Sequence, residues 1–301
     1  MQKKYRGVVV PMVTPFTASG KVDVEAVERI CRRFAQCGVS PLVLGTTGEA
    51  ASISAAENVR VVLAAVQGMG GAGLVYAGIA GNNVAQNMEN AKAYVALGAG
   101  VMMSVLPYYY ALTDSQMLRY YAQLADAVPQ LMMYNIPATT HMSIPLQVVA
   151  QLSTHPNICG LKDSERDEHR MEECIAMFRE REDFSYFLGY AALSAAALLQ
   201  GADGIVPSTG NVVPAMFRQL YDAAISGNEV EARRLQCETN DIAKIYQANR
   251  TLGQSLAALK AMLSVLRLCE PNVLPPLDNL TADEINELRK QMAATAMNLP
   301  S

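Results

Sequence analysis

Lys162 follows the apolar run Ile158-Cys159-Gly160-Leu161, which has the character of a strand buried on both faces. A lysine at that place sits where an apolar interior meets solvent. Desolvation disfavours the ammonium and lowers its pKa, which supplies a free amine able to attack a ketone. A strand-end lysine can equally snorkel into water, so Lys162 alone decides nothing. Its company does.

Three other strand ends carry unusual residues. Gly45-Thr46-Thr47-Gly48-Glu49 offers two hydroxyls and successive backbone N–H groups between two glycines, suited to an anion such as a carboxylate. A tight turn capped by hydroxyls would look the same. Tyr134, in Tyr134-Asn135-Ile136-Pro137, places a phenol where it could donate to and accept from a bound carbinolamine, or act as an amphipathic rim aromatic. Tyr108, Tyr109 and Tyr110 read either as a loop packed on another subunit or as part of a proton relay. The mixed-charge run Glu165–Arg170 reads as a solvated loop and helix start, and His141 and His155 as loop residues.

These ends belong to a repeating pattern. Strand candidates are Gly7–Val10, Pro41–Leu44, Leu74–Ala77, Val101–Ser104, Leu131–Tyr134, Ile158–Leu161, Tyr186–Leu188 and Gly204–Val206, spaced by roughly 20 to 33 residues. Helical patterns lie between them, including Val24–Cys37, Ala55–Gln67, Val84–Leu97 and Thr113–Ala127, with cap residues at Asp23, Ser54, Asn83 and Thr113. Apolar strands alternating with helices imply a covered parallel sheet, and eight such units close into a (β/α)8 barrel. A doubly wound open sheet competes, but no GxGxxG follows the first strand. From residue 229 onward the strand signal stops, and Glu229–Tyr246, Leu256–Leu268 and Thr281–Met297 read as helices. The expected organisation is a barrel over 1–228 carrying the active site and a C-terminal helical region over 229–301 packed on it. Leu256, Leu259, Leu263 and Leu266 form a helical stripe expected to pack against the barrel.

Composition agrees with a large globular core: 51% of residues are apolar and 17% charged. The net charge of −4, with no basic cluster, argues against nucleic acid or anionic membrane as a partner. Six scattered cysteines include no CxxC pair, and three histidines give no zinc spacing, so reduced thiols and no metal are expected. The apolar run near the N-terminus is short and broken by Pro11, and no stretch of about 18 apolar residues occurs. A cytoplasmic location is expected.

Taken together, VTPF from Val13, GTTGE, PYY, YNIP and GLKDS resemble the dihydrodipicolinate synthase/N-acetylneuraminate lyase family of pyruvate-dependent class I aldolases, over almost the whole chain. The resemblance implies that Lys162 forms a Schiff base with pyruvate or another 2-keto acid. It makes Tyr134 the proton-transferring phenol that also bonds the keto-acid carboxylate, and places Thr46 and Thr47, with Gly45, in the carboxylate-binding and relay turn. Tyr109 would reach across a dimer interface to complete a Thr–Tyr–Tyr relay, and Val206 would lend its carbonyl near the Schiff base. A dimer of dimers is implied. So is the absence of any cofactor, since the protonated imine does the polarising that class II aldolases assign to zinc.

The second substrate is an aldehyde. Dihydrodipicolinate synthases carry an arginine two residues after the proline of YNxP, but here Ala138 and then Thr139 follow Pro137. Sialic acid lyases carry Gly-x-Asp-Glu after the seventh strand, but here Gly189-Tyr190-Ala191-Ala192 has no acid. Thr139 and Gly189 therefore stand at the expected second-substrate positions, and the pattern most resembles the 2-keto-3-deoxy sugar-acid aldolases. The rivals are a true dihydrodipicolinate synthase, a non-catalytic keto-acid-binding regulator, and a phosphate-binding barrel, for which Gly210-Asn211 is a thin turn.

Overall fold

The computed structural model describes residues 3–295. Eight parallel strands close a barrel in chain order: β1 Gly7–Pro11, β2 Ser40–Val43, β3 Tyr76–Ile79, β4 Val101–Val105, β5 Leu131–Asn135, β6 Ile158–Asp163, β7 Ser185–Leu188 and β8 Gly204–Ile205. The last strand pairs back on the first, with Gly7 opposite Gly204 and Val8 opposite Ile205. The (β/α)8 barrel expected from the repeat is thus the fold.

The outer layer is α1 Val24–Gln36, α2 Ala55–Met69, α3 Val84–Ala96, α4 Asp114–Ala127, the short α5 Pro137–Thr140 with α6 Leu146–Leu152, α7 Glu168–Phe178, α8 Ser194–Gln200 and α9 Pro214–Ile225. Asp23 accepts from Ala26 N–H at 3.0 Å and Asn83 from Gln86 N–H at 3.1 Å, satisfying orphan donors at two helix starts. Three helices follow: α10 Glu229–Gln247, α11 Leu252–Val265 and α12 Ala282–Ala294. The expected end of the last helix at Met297 lies outside the described residues. Helix α10 packs on α8 and α9, and α11 on α10 and α12. No helix among the described residues is long and apolar enough to cross a membrane.

Strand alternation separates two cores. Val9, Leu42, Tyr76, Met103, Met132 and Phe187 fill the barrel, while Val8, Val10, Val43, Ala77, Met133 and Leu188 pack outward against helices. The third strand starts at Tyr76 and not at the expected Leu74. Leu74 is 37% exposed in the irregular stretch before it, where an apolar residue mimics a strand start. Cys31, Cys159, Cys174 and Cys269 are buried free thiols that burial pushes up to about 12, while Cys237 is exposed.

Candidate active site

Lys162 comes to the barrel axis through an irregularity. Between β5 and β6 the register runs Leu131 to Ile158 and then Met132 to Gly160, leaving Cys159 unpaired as a bulge. The bulge moves the inward face of β6 by one residue, so Gly160 lies beside Met132 and Lys162 beside Tyr134. Gly160 is required there, because a Cβ would stand 2.4 Å from the Ser185 carbonyl oxygen.

Lys162 is 3% and Tyr134 6% exposed, and the lysine Nζ lies 3.6 Å from the centre of the tyrosine ring. Burial holds the Lys162 pKa below that of an ordinary lysine, opposed by the neighbouring phenol. For Tyr134, burial alone raises the pKa, but the Lys162 ammonium and the Thr46 and Ser164 hydroxyls outweigh it and bring the phenol below its usual value. An amine and a phenol in such contact can pass a proton between them.

The Gly45–Glu49 turn forms the next wall. Leu44 enters it at φ 55° and Glu49 leaves it at φ 57°, both left-handed. Gly48 N–H donates to the Gly45 carbonyl at 3.0 Å and Glu49 N–H to that of Thr46 at 3.1 Å. Among the described residues the N–H groups of Thr46 and Thr47 have no backbone partner outside the regular elements, which leaves them for an anion. Two anchors hold the turn. Thr14 of VTPF donates to the Gly48 carbonyl at 2.7 Å. Glu49 is paired with Lys260 of α11 at 2.5 Å, accepts from Leu274 N–H at 2.9 Å, and both side chains are buried.

A cavity of about 640 Å³ opens over Lys162. Thr46, Thr47, Tyr134, Gly189 and Val206 line it, so these sequence-derived candidates converge with Lys162 in one space. Gly45 and Thr139 do not line it. They line an adjoining apolar cavity of about 410 Å³, which shares Thr46 and Tyr134 as walls, and Ala138 faces the lysine's cavity instead. Tyr109 lines neither cavity of its own chain. It is 75% exposed, packs edge-on against Tyr110 at 4.9 Å between ring centres, and its N–H donates to Asn82 Oδ1 at 3.0 Å.

Several cavity residues carry no signal of their own in the sequence. Ser164 lies two residues past Lys162, hence on the same face, and Gly189 is glycine because a Cβ would meet its Oγ at 2.1 Å. Arg166, Tyr190 and Ser208 also line the cavity, as does Leu256 of the leucine stripe. The run Glu165–Arg170 is not wholly solvated. Arg170 is buried, donating to Asp163 Oδ2 at 2.7 Å and the Ile144 carbonyl at 2.8 Å. Asn135 donates to Asp163 Oδ1 and Glu165 Oε2, each at 2.9 Å, and this network ties the ends of β5 and β6 together behind Lys162 and Tyr134. Gly210-Asn211 is structural: Asn211 donates to the Pro11 carbonyl and accepts from Val13 N–H.

A parallel barrel with an amine buried beside a phenol at its open strand ends holds the groups that carbon–carbon bond chemistry through a Schiff base uses. The chain belongs to the Dihydrodipicolinate synthetase family, whose profile matches residues 4–295. The 4-hydroxy-tetrahydrodipicolinate synthase of Laribacter hongkongensis is 32% identical over 273 residues, 86% of this chain and 93% of that one. 4-Hydroxy-tetrahydrodipicolinate synthase 2 of Streptomyces coelicolor is 30% identical over 99% of this chain and 98% of its own. Among solved structures, the dihydrodipicolinate synthase of Bacteroides thetaiotaomicron superposes with a TM-score of 0.92 at 27% identity, covering 98% of this chain and 100% of that one.

Proposed function

We propose that the protein reversibly joins pyruvate to an aldehyde, such as that released from a 2-keto-3-deoxy sugar acid, through an imine on Lys162. The observation that carries this reading is the buried Lys162 amine, depressed in pKa and set against the Tyr134 ring. The amine adds to the C2 carbonyl of pyruvate, and loss of water gives the imine. A proton leaves C3 while the imine nitrogen takes up the electron pair, giving an enamine. Its C3 attacks the aldehyde carbonyl carbon, the new alkoxide is protonated, and hydrolysis frees Lys162; cleavage runs in reverse. No cofactor is needed, because the protonated imine is the electron sink.

In this reading Tyr134 carries protons to and from the reacting atoms, and the Thr46 and Thr47 turn binds the pyruvate carboxylate. Val206 presents its carbonyl near the imine. Thr139 and Gly45 act one layer out, through the adjoining cavity. Tyr109 serves the site of a neighbouring copy, in a dimer of dimers. Borohydride added with pyruvate should increase the mass by about 72 Da at Lys162, and Lys162→Ala should remove that adduct. Lys260 is the control: it is buried but held by Glu49 and by the Asn272 carbonyl at 2.7 Å. Label at Lys260, or none, overturns the reading.

A second reading is favoured by the names of the relatives: a 4-hydroxy-tetrahydrodipicolinate synthase joining pyruvate to aspartate semialdehyde. Thr139, where the family resemblance places an arginine two residues after Pro137, gives that aldehyde's carboxylate no cation at this position. Aspartate semialdehyde outrunning every other aldehyde in a panel would establish it.

A further inference from the structure

The cavity over Lys162 is lined by four cationic side chains, Lys162, Arg166, Lys244 and Arg250, and by no Asp or Glu. That is not the bias of the chain, which has 28 acidic residues against 24 basic ones. The four cations differ in what already occupies them. Lys162 is the reacting amine. Lys244 is paired with Asp241 at 2.7 Å, so its charge is compensated. Arg250 donates to the Ile245 carbonyl at 2.8 Å. Arg166 has no ion pair among the described residues.

What Arg166 does have is a platform. Its guanidinium carbon lies 5.2 Å from the centre of the Tyr190 ring, on the segment that follows β7. The acids flanking it in sequence are engaged elsewhere. Glu165 accepts from Asn135 and Ser143, and Asp167 accepts from Arg170 N–H at the start of α7. The guanidinium over the Tyr190 ring thus lines the cavity with no ion-pair partner among the described residues, and a guanidinium can receive a carboxylate or phosphate in two parallel bonds. Ala191 and Ala192, next to Tyr190 on the same wall, put no acid beside it to repel such a group.

Resting on the imine reading above, we infer that the aldehyde partner carries an anionic terminus, and that Arg166 stacked on Tyr190 is the side chain that recognises it. The adduct on Lys162 then has two anionic ends, one at the Thr46 and Thr47 turn and one at Arg166. The grip comes from the β6–α7 connection, in place of an arginine after β5.

The test does not require the natural aldehyde. A 2-oxo dicarboxylate forms the same imine, with loss of water, and carries its own distal anion to the rim. Adduct formation under borohydride is followed by mass for 2-oxoglutarate, 2-oxoadipate and 2-oxopimelate, each against the 2-oxo monocarboxylate of equal chain length, with pyruvate as reference. In the wild type, at least one dicarboxylate should half-saturate at a concentration about 10- to 150-fold lower than its monocarboxylate. In Arg166→Ala that ratio should fall to near one, and in Arg166→Lys to an intermediate value, since the charge remains but the fork is lost. No preference in the wild type, or an undiminished one in Arg166→Ala, overturns the inference while the imine stands. No adduct even with pyruvate overturns the imine reading and this inference with it. Turnover of glyceraldehyde 3-phosphate against glyceraldehyde, and of succinic semialdehyde against butanal, then separates phosphate from carboxylate. A neutral aldehyde that outruns its charged counterpart in both pairs also counts against the inference.

Discussion

Lys162 and Tyr134 are cross-strand partners only because Cys159 bulges out of the β5–β6 ladder; with strict alternation from Cys159, Leu161 would face the axis in place of Lys162. The pairing has a pH signature. Imine formation needs the neutral amine, and burial lowers the pKa of Lys162 from 10.5. A lowered pKa means more free amine at every pH between the shifted value and 10.5. The rate of adduct formation at limiting pyruvate should therefore rise with pH and level off below 10.5. A rate still climbing about tenfold per pH unit up to that value would describe an ordinary exposed lysine.

Tyr134→Phe keeps the ring against Lys162 and removes only the phenol. Loss of a positioned proton-transfer group should lower kcat by about 10²- to 10⁴-fold. The phenol also raises the Lys162 pKa, opposing burial, so its removal should move the midpoint of the imine pH profile downward. An upward movement, or unchanged turnover, would remove Tyr134 from the chemistry.

The network behind this pair should be measurable as stability. Arg170 bonds Asp163 at 2.7 Å, and burial already pushes the Asp163 carboxyl above its usual pKa. Arg170→Met leaves that carboxylate without its cation, which should cost about 3–5 kcal/mol in denaturant unfolding. Asp163→Asn added to Arg170→Met should recover much of the loss. A double variant no more stable than the single one would mean that the pair is not coupled.

How much of this was readable beforehand follows from what each feature depends on. The barrel shows in the sequence because buried parallel strands are apolar runs at a regular spacing, and Lys162 shows because it ends one of them. The bulge at Cys159 does not show. Ile158-Cys159-Gly160-Leu161 is apolar or small throughout and has no alternation from which to read a face. Arg170 looks solvated within a run of charges because its partners, the Asp163 carboxylate and the Ile144 carbonyl, are brought to it by the ends of other elements. Arg166 is hidden for the same reason: its platform, Tyr190, belongs to a different βα unit. Sequence pattern reports the face of an element well and the meeting of two loops poorly.

Glu49 and Lys260 should couple the C-terminal helices to the Gly45–Glu49 turn. Lys260→Met leaves the Glu49 carboxylate buried and unpaired at the end of the Gly45–Glu49 turn. The expected cost is about 3–5 kcal/mol of stability, with a rise in KM for pyruvate as the turn loosens. Glu49→Gln together with Lys260→Met should restore stability more than it restores KM, because the left-handed Glu49 position remains without its anchor. Full recovery of both would show that the ion pair has no part in holding the turn.

Tyr109 lies outside both cavities of its own chain. Tyr109 and Tyr110 are 75% and 72% exposed, yet their loop is held, with the N–H groups of Tyr108 and Tyr109 both donating to Asn82 Oδ1. A fixed aromatic pair in water is an unfavourable surface unless a partner covers it. If a second copy does so and Tyr109 enters that copy's site, the protein should sediment as a dimer or tetramer at micromolar concentration. Tyr109→Phe should then lower turnover while borohydride still traps pyruvate on Lys162, because the Tyr109 phenol would move protons at the aldehyde oxygen and imine formation depends on Lys162 and Tyr134. Both measurements are needed. A fully active monomer would leave the three tyrosines as surface packing, and a variant that loses the imine along with turnover would place Tyr109 in the first step of the reaction.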